Sequence, residues 1–352
     1  AEDGPDGFYR GKTAQLIAAE MARGGGLVDE LSLAAYKPVV REPVRGTYRG
    51  YQIVTMPPPS SGGIHIIQML NILEHFPVAE LGAGSADNVH LLAEVARLAY
   101  ADRSEHLGDP DFYDVPLDWL VSKEYAKELA ATIDMKKARD SDDVKPGVVP
   151  QPESPDTTHY SIMDAEGNVV AVTTTLNFSF GSGISVAGAG FLLNNEMDDF
   201  VSKPGVPNAF GLLGGDANAI EAGKRPLSSM TPTFVLDDGQ AWFATGSPGG
   251  SRIITTVLQM VVNMIDHDMN VAEATLAPRM HHQWYPDVLQ LEEGFSPDTI
   301  KLLRERGHEL QDVRSTMGSL QSVAWKDGMF RGAADTRRPN AASSAPDKTR
   351  DQ

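Results

Sequence analysis

Residues 154–177 read SPDTTHYSIMDAEGNVVAVTTTLN, and the architecture turns on how this stretch is parsed. Thr158 to Met163 alternates in the manner of a half-buried strand. Asp164-Ala165-Glu166-Gly167-Asn168 supplies turn residues, and Val169 to Thr175 returns as a second β-favouring run. Two such runs around a Gly- and Asn-bearing turn predict a β-hairpin. Upstream the character is different. From Asp134 to Asp156 the charges of Lys136, Lys137, Arg139, Asp140, Asp142 and Asp143 alternate, and Pro146, Pro150, Pro152 and Pro155 follow. With no apolar period, the stretch 134–156 predicts an exposed, extended connector. The change from connector to strand falls at Asp156–Thr157.

Further along, Thr233–Leu236 and Ala241–Thr245 flank Asp237-Asp238-Gly239-Gln240 as a second hairpin. Gly246-Ser247-Pro248-Gly249-Gly250 then leads into a helix from Ser251 to about His267, with Ile254, Val257, Leu258, Val261 and Ile265 at helical spacing. Shorter helices are expected at 271–277 and 297–306. Towards the N-terminus, residues 10–40 read as helices broken at Gly24-Gly25-Gly26, and 50–56 as a strand. Pro57-Pro58-Pro59-Ser60-Ser61-Gly62-Gly63 is too punctuated for regular structure. A helix bearing Ile64, Ile67, Leu70 and Leu73 follows, and Ser85 is positioned as the N-cap of another. In that one Leu91, Val95 and Leu98 form the expected buried stripe, with Glu94, Arg97 and Asp102 on the more polar side. Strands followed by long apolar helices give an α+β protein in which helices cover sheets. The tail from Asn340 is polar, and fraying is expected.

Composition narrows the function. The chain has 352 residues, 41% hydrophobic, enough for a sizeable core. A net charge of -18 repels nucleic acid and anionic membrane surfaces, so neither is expected as a partner. There are no cysteines, which excludes disulfides, thiol catalysis and Cys-based zinc sites. No apolar run is long enough for a membrane helix. The acidic N-terminus AEDGPDGFYRG lacks the apolar segment of a signal peptide. The nine histidines show no HExxH or comparable ligand spacing. His281-His282 is read as structural, and neither a metal nor a cofactor is expected.

The junction carries a chemical possibility. A threonine hydroxyl is a poor nucleophile until a base takes its proton, and one solution puts the threonine at a chain terminus so that its own α-amine is that base. An α-amine titrates near about 7.7–8.0, so much of it is neutral close to pH 8. The arrangement needs a cut just before the threonine, an accessible connector upstream and a strand start downstream, and Thr157 has both flanks. Taken alone, Thr157-Thr158-His159 merely opens a strand, where threonine is common.

The junction is accompanied by a series of motifs. TTHYSIMDAEGNVVAVTTTLN (157–177), FGSGI (180–184), LLNNEMDDF (192–200), PLSSMTP (226–232) and GSPGGSRIITT (246–256) resemble segments of the γ-glutamyltransferase (γ-glutamyltranspeptidase) family. So do PPPSSGGIH (57–65) and YADRSEHLGDPDF (100–112). The resemblance runs from about residue 4 to 338, with the motifs in family order. It implies the N-terminal-nucleophile hydrolase fold, a four-layer αββα sandwich, expected here in incomplete form. It also implies a proenzyme that cuts itself between Asp156 and Thr157. Residues 1–156 would be the C-terminal part of the large subunit and 157–352 the small catalytic subunit, the two remaining paired.

The resemblance also assigns roles. Thr157 is the nucleophile, and Thr175, otherwise an ordinary strand residue, orients its hydroxyl or amine. Gly249 and Gly250 offer backbone N–H groups as an oxyanion hole just before a helix N-terminus; a Gly-Gly pair there is by itself a turn. Asp199 and Glu196 hold the donor's α-ammonium, with Asn177 adding a polar contact; the family has Gln or Glu at the position of Glu196. Ser228 and Ser229, by themselves a loop feature, offer hydroxyls to the α-carboxylate. Residues 203–215 resemble the lid loop of bacterial members, some of which carry at the position of Phe210 a tyrosine that reaches the asparagine matching Asn177. Phe210 cannot make that bond, so looser closure is expected.

The implied donors are glutathione, glutamine and related γ-glutamyl compounds, and the acceptors are water, an amino acid or a peptide. The implied location is periplasmic or secreted. Family members carry a longer N-terminal segment, with an arginine that pairs with the donor carboxylate, so this sequence reads as truncated. Two other readings stay open: a glutaryl-type β-lactam acylase of the same superfamily, and an unprocessed, inactive folded module.

Overall fold

A computed structural model describes residues 3–144, 157–203, 206, 208, 212–311 and 316–345. Asp156, Phe210 and residues 145–155 of the expected connector lie outside the described residues. The chain divides into two compact units, Ala1–Glu42 with Thr175–Glu196, and Pro43–Thr174 with Met197–Gln352.

The smaller unit holds helices α1 (Asp6–Tyr9), α2 (Gly11–Gly24) and α3 (Glu30–Ala35). The Asp29 carboxylate caps α3 by accepting from the Ser32 N–H. Helix α2 buries Ala14 and Ile17, and the rings of Phe8 in α1 and Phe191 lie 5.5 Å apart.

The larger unit is built on a six-stranded antiparallel sheet. Its strands are β1 (Val44–Tyr48), β2 (Tyr51–Thr55), β5 (Thr233–Asp237), β6 (Gln240–Thr245), β9 (Gln321–Lys326) and β10 (Met329–Ala334), in the order β1-β2-β5-β6-β9-β10. The remaining strands form two-stranded sheets, β3 (Thr157–Met163) with β4 (Val169–Thr175) and β7 (Met280–His281) with β8 (Gln290–Leu291). The helices are α4 (Gly62–Leu73), α5 (Val78–Leu81), α6 (Ala86–His106), α7 (Leu117–Leu120), α8 (Lys123–Ala130), α9 (Arg252–Ile265), α10 (Val271–Leu276) and α11 (Pro297–Glu305).

Strand register separates the two faces of the large sheet. Gly46, Ile53, Val235, Phe243 and Ala324 pair in succession across β1, β2, β5, β6 and β9, so they share one face. Ile53, Val235, Phe243 and Ala324 are all buried. Helix α4 covers this row, and a Cβ on Gly46 would overlap Ile67. Alternate residues such as Phe234 and Trp325 point to the other face, where they line a cavity with Met163, Asp164 and Val169 of the β3–β4 hairpin. The larger unit therefore stacks helices, a full sheet and a two-stranded sheet, three of the four layers that the family resemblance implied.

Both predicted hairpins and the predicted helices are present, including Ser85 as the N-cap of α6, accepting from the Asn88 N–H at 3.0 Å. Two expectations are corrected. Helix α6 has no polar side at Glu94 and Arg97: both are buried, and the Arg97 guanidinium meets Glu94, Ser141 and Asp287. The described part of the connector is not extended and exposed throughout. Ser141 is buried, donating to the Trp284 carbonyl at 2.8 Å, because it completes the hydrogen bonding of Arg97.

Candidate active site

In the larger unit, β3 starts at Thr157, which is buried. Arg338 Nη1 donates to the Thr157 carbonyl at 2.8 Å. The chain that carries Arg338 is anchored by a buried ion network. Arg279 meets Asp335 at 2.6 Å, with both side chains almost fully buried, and Arg337 bridges Asp335 and Glu292. Burial favours the neutral form of Asp335, but Arg279, backbone N–H donors and Arg337 outweigh it and hold the pKa below the ordinary carboxylate value.

Two residues beyond Thr157, the His159 ring lies against Gly246. A Cβ there would sit 2.2 Å from His159 Cε1, so only glycine fits. His159 is hydrogen-bonded to Thr173 Oγ1 at 2.8 Å and Ser161 Oγ at 3.0 Å, and burial lowers its pKa to about 4. Gly246 opens the loop that ends in Gly249 and Gly250, so this contact ties β3 to that loop. Thr158, Pro248 and Ser319 line one cavity with the 338–345 segment. The loop is braced from behind: Ser319 N–H donates to Ser247 Oγ at 2.8 Å, and Ser247 Oγ donates to the Pro248 carbonyl at 2.6 Å. Gly249 and Gly250 both have positive φ, 139° and 55°. Neither of their N–H groups has an acceptor among the described residues. They lie immediately ahead of α9, whose first-turn dipole favours negative charge.

The loop with Ser228 and Ser229 is stapled to the Pro-rich loop. Ser61 N–H donates to the Ser228 carbonyl at 2.9 Å, Ser228 N–H to the Pro59 carbonyl at 2.9 Å, and Ser60 Oγ to the Met230 carbonyl at 2.7 Å. Behind it lies Arg103 of α6. This residue is 4% exposed, and its guanidinium donates through Nε to Ser61 Oγ at 2.9 Å and through Nη2 to Ser229 Oγ at 3.3 Å. Burial lowers its pKa to about 10, while Tyr100 and the Asp199 carboxylate pull the other way, so Arg103 stays charged near neutrality. Asp199 lies in the short turn Glu196–Asp199. Buried Asn218 ties that turn to the serine loop, donating to the Asp199 carbonyl at 2.7 Å and accepting from the Leu227 N–H at 3.0 Å.

The smaller unit gathers its own set. Asn177 N–H donates to Thr175 Oγ1 at 2.8 Å, and Asn177 Nδ2 donates to the Asn195 carbonyl at 3.2 Å. Asn177 has φ 73° and is buried. Glu196 N–H donates to Asn194 Oδ1 at 2.9 Å, so Glu196 continues from the segment that clasps Asn177.

Thr157, Asp199, Ser228, Ser229, Gly249 and Gly250 are thus positioned in one unit, and Thr175, Asn177 and Glu196 in the other. Arg103, Asn218 and Arg338 were not singled out from sequence. Arg103 lay within a recognised motif, but nothing local in YADRSEHLGDPDF tells which side chain faces a loop 126 positions away.

Among the described residues, His90, Glu94 and His308 bring possible metal-ligating atoms within 4.8 Å of one another. The geometry is that of a hydrogen-bonded group. His90 Nδ1 and His308 Nε2 are 2.7 Å apart, closer than the roughly 3.3 Å of two nitrogens on one tetrahedral zinc ion. Glu94 is held by Arg97. His281 and His282 are buried and hydrogen-bonded to Thr255 and Asp287.

A layered α+β frame, with a threonine at the start of a strand beside a glycine loop, defines the N-terminal-nucleophile hydrolase class. The comparisons agree. A cephalosporin acylase from Bacillus halodurans superposes with a TM-score of 0.81 at 27% identity, covering 97% of this chain and 60% of the other. A gamma-glutamyltranspeptidase chain from Pseudomonas nitroreducens, complexed with L-DON, gives 0.52 at 44% identity over 54% of this chain and 100% of that one. The family model for gamma-glutamyltranspeptidase matches residues 1–345, and the chain belongs to that family. It is 59% identical over 338 residues to a glutathione hydrolase proenzyme of Escherichia coli (strain K12), covering 96% of this chain and 58% of that protein. It is 42% identical to the Acylase ACY 1 proenzyme of Pseudomonas sp. (strain SE83), over 95% of this chain and 57% of that protein. The chain therefore spans somewhat over half the length of these curated relatives.

Proposed function

We propose that this chain carries the catalytic centre of a γ-glutamyl hydrolase and transferase that acts on glutathione and related γ-glutamyl compounds, after self-cleavage between Asp156 and Thr157. The observation that carries the reading is the position of Thr157. It is buried at the very start of β3, its carbonyl is fixed by Arg338, and its strand is tied through His159 to the loop whose two glycine N–H groups have no acceptor among the described residues.

In this reading the freed α-amine of Thr157 takes the proton of its own hydroxyl as Oγ attacks the γ-carbonyl. Gly249 and Gly250 N–H groups meet the developing oxyanion. The amine leaves with the proton, and an acyl-enzyme remains. Water then releases glutamate, whereas an amino acid or peptide amine gives transfer. Thr175 orients the nucleophile, Asp199 and Glu196 hold the α-ammonium with Asn177, and Ser228 and Ser229 hold the α-carboxylate. The segments on either side of the cut stay paired as two subunits, in a periplasmic or secreted setting. No helix among the described residues is long and apolar enough to cross a membrane.

The likeness to acylases keeps a second reading in view, that of a deacylase for glutaryl-type β-lactam side chains. Asp199 and Glu196 disfavour it, because a glutaryl group has no ammonium to pair with. Mass spectrometry followed by parallel assays with γ-glutamyl anilide and glutaryl anilide tests the proposal. Two fragments, the second beginning at Thr157, with turnover of the γ-glutamyl substrate, support it. An uncut chain that turns over neither substrate refutes it, and preference for the glutaryl substrate transfers it to the acylases.

A further inference from the structure

Arg103 is a buried cation whose hydrogen bonds end on serine hydroxyls, which is an unusual use of a guanidinium. Its Nε–H donates to Ser61 Oγ and its Nη2–H to Ser229 Oγ, at 2.9 and 3.3 Å. A hydroxyl has a single proton, and the partners fix where each proton goes. Ser61 donates its own to the Ser228 carbonyl at 2.9 Å and has none left to offer. Ser229 Oγ accepts from Arg103, so its proton points away from the guanidinium. Ser228 Oγ accepts from the Met230 N–H at 3.1 Å, so its proton points away from that N–H. Neither proton has an acceptor among the described residues. Adjacent Ser228 and Ser229 therefore present two O–H donors, a match for the two oxygens of a carboxylate.

Charge agrees with this count. Arg103 sits fixed behind the hydroxyls and favours an anion in front of them, since a buried charge is little screened. The carboxylate close enough to act on Arg103 is that of Asp199, which Asn218 ties to the serine loop. Positive charge behind the serines and negative charge at Asp199 complement a zwitterion with adjacent carboxylate and ammonium groups.

We infer that Arg103 is the positioning residue of the carboxylate subsite: by donating to Ser229 Oγ it turns that hydroxyl into an outward donor, and so confers selectivity for ligands with an α-carboxylate beside the amine. The inference rests on the functional reading above, which places an α-amino acid at these serines, and adds to it the group that orients them.

The test is binding to the 352-residue chain, which needs no turnover. L-Glutamate and 4-aminobutyrate differ only in the α-carboxylate, and calorimetry gives a dissociation constant for each. The native chain should bind glutamate at least tenfold more tightly. Arg103→Lys keeps the buried charge but loses the planar fork. It should weaken glutamate binding about tenfold and 4-aminobutyrate less than twofold. Arg103→Met should do the same more strongly, provided its thermal unfolding remains cooperative. On a Ser229→Ala background, Arg103→Lys should have less than a twofold further effect, because the two residues act through one contact. Equal weakening of both ligands, unchanged selectivity, or full additivity with Ser229→Ala overturns the role of Arg103 and leaves the subsite standing. A native chain that does not distinguish the two ligands overturns the subsite itself, and the inference with it.

Discussion

Asn218 Nδ2 donates to the Asp199 carbonyl oxygen at 2.7 Å, while the other end of the same carboxamide accepts from the Leu227 N–H. One buried side chain thus sets the spacing between the turn that carries Asp199 and the loop that carries Ser228 and Ser229. Asn218→Ala removes both hydrogen bonds, and a buried backbone group left unsatisfied costs about 1–3 kcal/mol. KM for a γ-glutamyl anilide should rise several-fold, with kcat less affected. An unchanged KM in a variant whose stability has fallen would remove Asn218 from the site.

Thr157→Ala removes the hydroxyl on which both cleavage and acyl transfer are proposed to depend. The variant should run as a single uncut chain and show no turnover with a γ-glutamyl anilide. Residual turnover above background would mean that another group is the nucleophile.

Gly246→Ala forces a methyl group into the His159 ring. Overpacking of this kind costs about 1–3 kcal/mol, and here it bears on the contact that aligns β3 with the glycine loop. Denaturant unfolding should show the loss. His159→Ala combined with Gly246→Ala should be less destabilising than the sum of the two single changes. Strict additivity would show that the ring and the glycine do not interact.

Acid should destabilise the protein through its buried imidazoles. Burial holds His159 at about 4 and His282 at about 4, whereas an unfolded histidine titrates near about 6.5. Below the unfolded value the denatured chain takes up protons that the native one refuses. Stability should therefore be flat above about pH 6.5 and decline towards pH 4, by at most about 1.4 kcal/mol per pH unit for each such histidine. His159→Gln should reduce that slope by one histidine's share. Urea titrations at pH 7, 6 and 5 that give the same slope in both proteins would contradict this account.

Arg279→Met takes from the buried carboxylate of Asp335 its most deeply buried cationic partner and leaves it Arg337. Breaking a buried pair from one side costs about 3–5 kcal/mol, more than replacing both partners. The single variant should be strongly destabilised, and Arg279→Met with Asp335→Leu should recover part of the loss. Limited proteolysis should then find the segment around Arg338 more accessible.

Where the signal was local, the sequence was a sound guide. The β3–β4 and β5–β6 hairpins follow from alternation and turn residues within some twenty positions, and the start of α6 from a single capping serine. Strands β1, β9 and β10 escaped notice because their runs are short and interrupted, as in Val44-Arg45-Gly46-Thr47-Tyr48. The supposed polar side of α6 failed for another reason. Glu94 and Arg97 look solvated on a helical wheel, yet Ser141 and Asp287, distant in sequence, let them be buried. The site divides in the same way. Thr157, Asp199, Ser228-Ser229 and Gly249-Gly250 sit in motifs that could be recognised. Arg103 and Asn218 act only through contacts formed when the chain is folded, and no spacing announces them.

The order of strands in the large sheet bears on what a break ahead of Thr157 can do. Strands β1 and β2 would belong to one polypeptide and β5, β6, β9 and β10 to the other, yet β2 and β5 are neighbours, paired from Gln52↔Leu236 to Thr55↔Thr233. The seam between the fragments is a ladder inside a single sheet, with the α4 packing shared across it. A cut there would change the covalent count without creating a detachable piece, and each half would depend on the other for its core as fully as in the continuous chain.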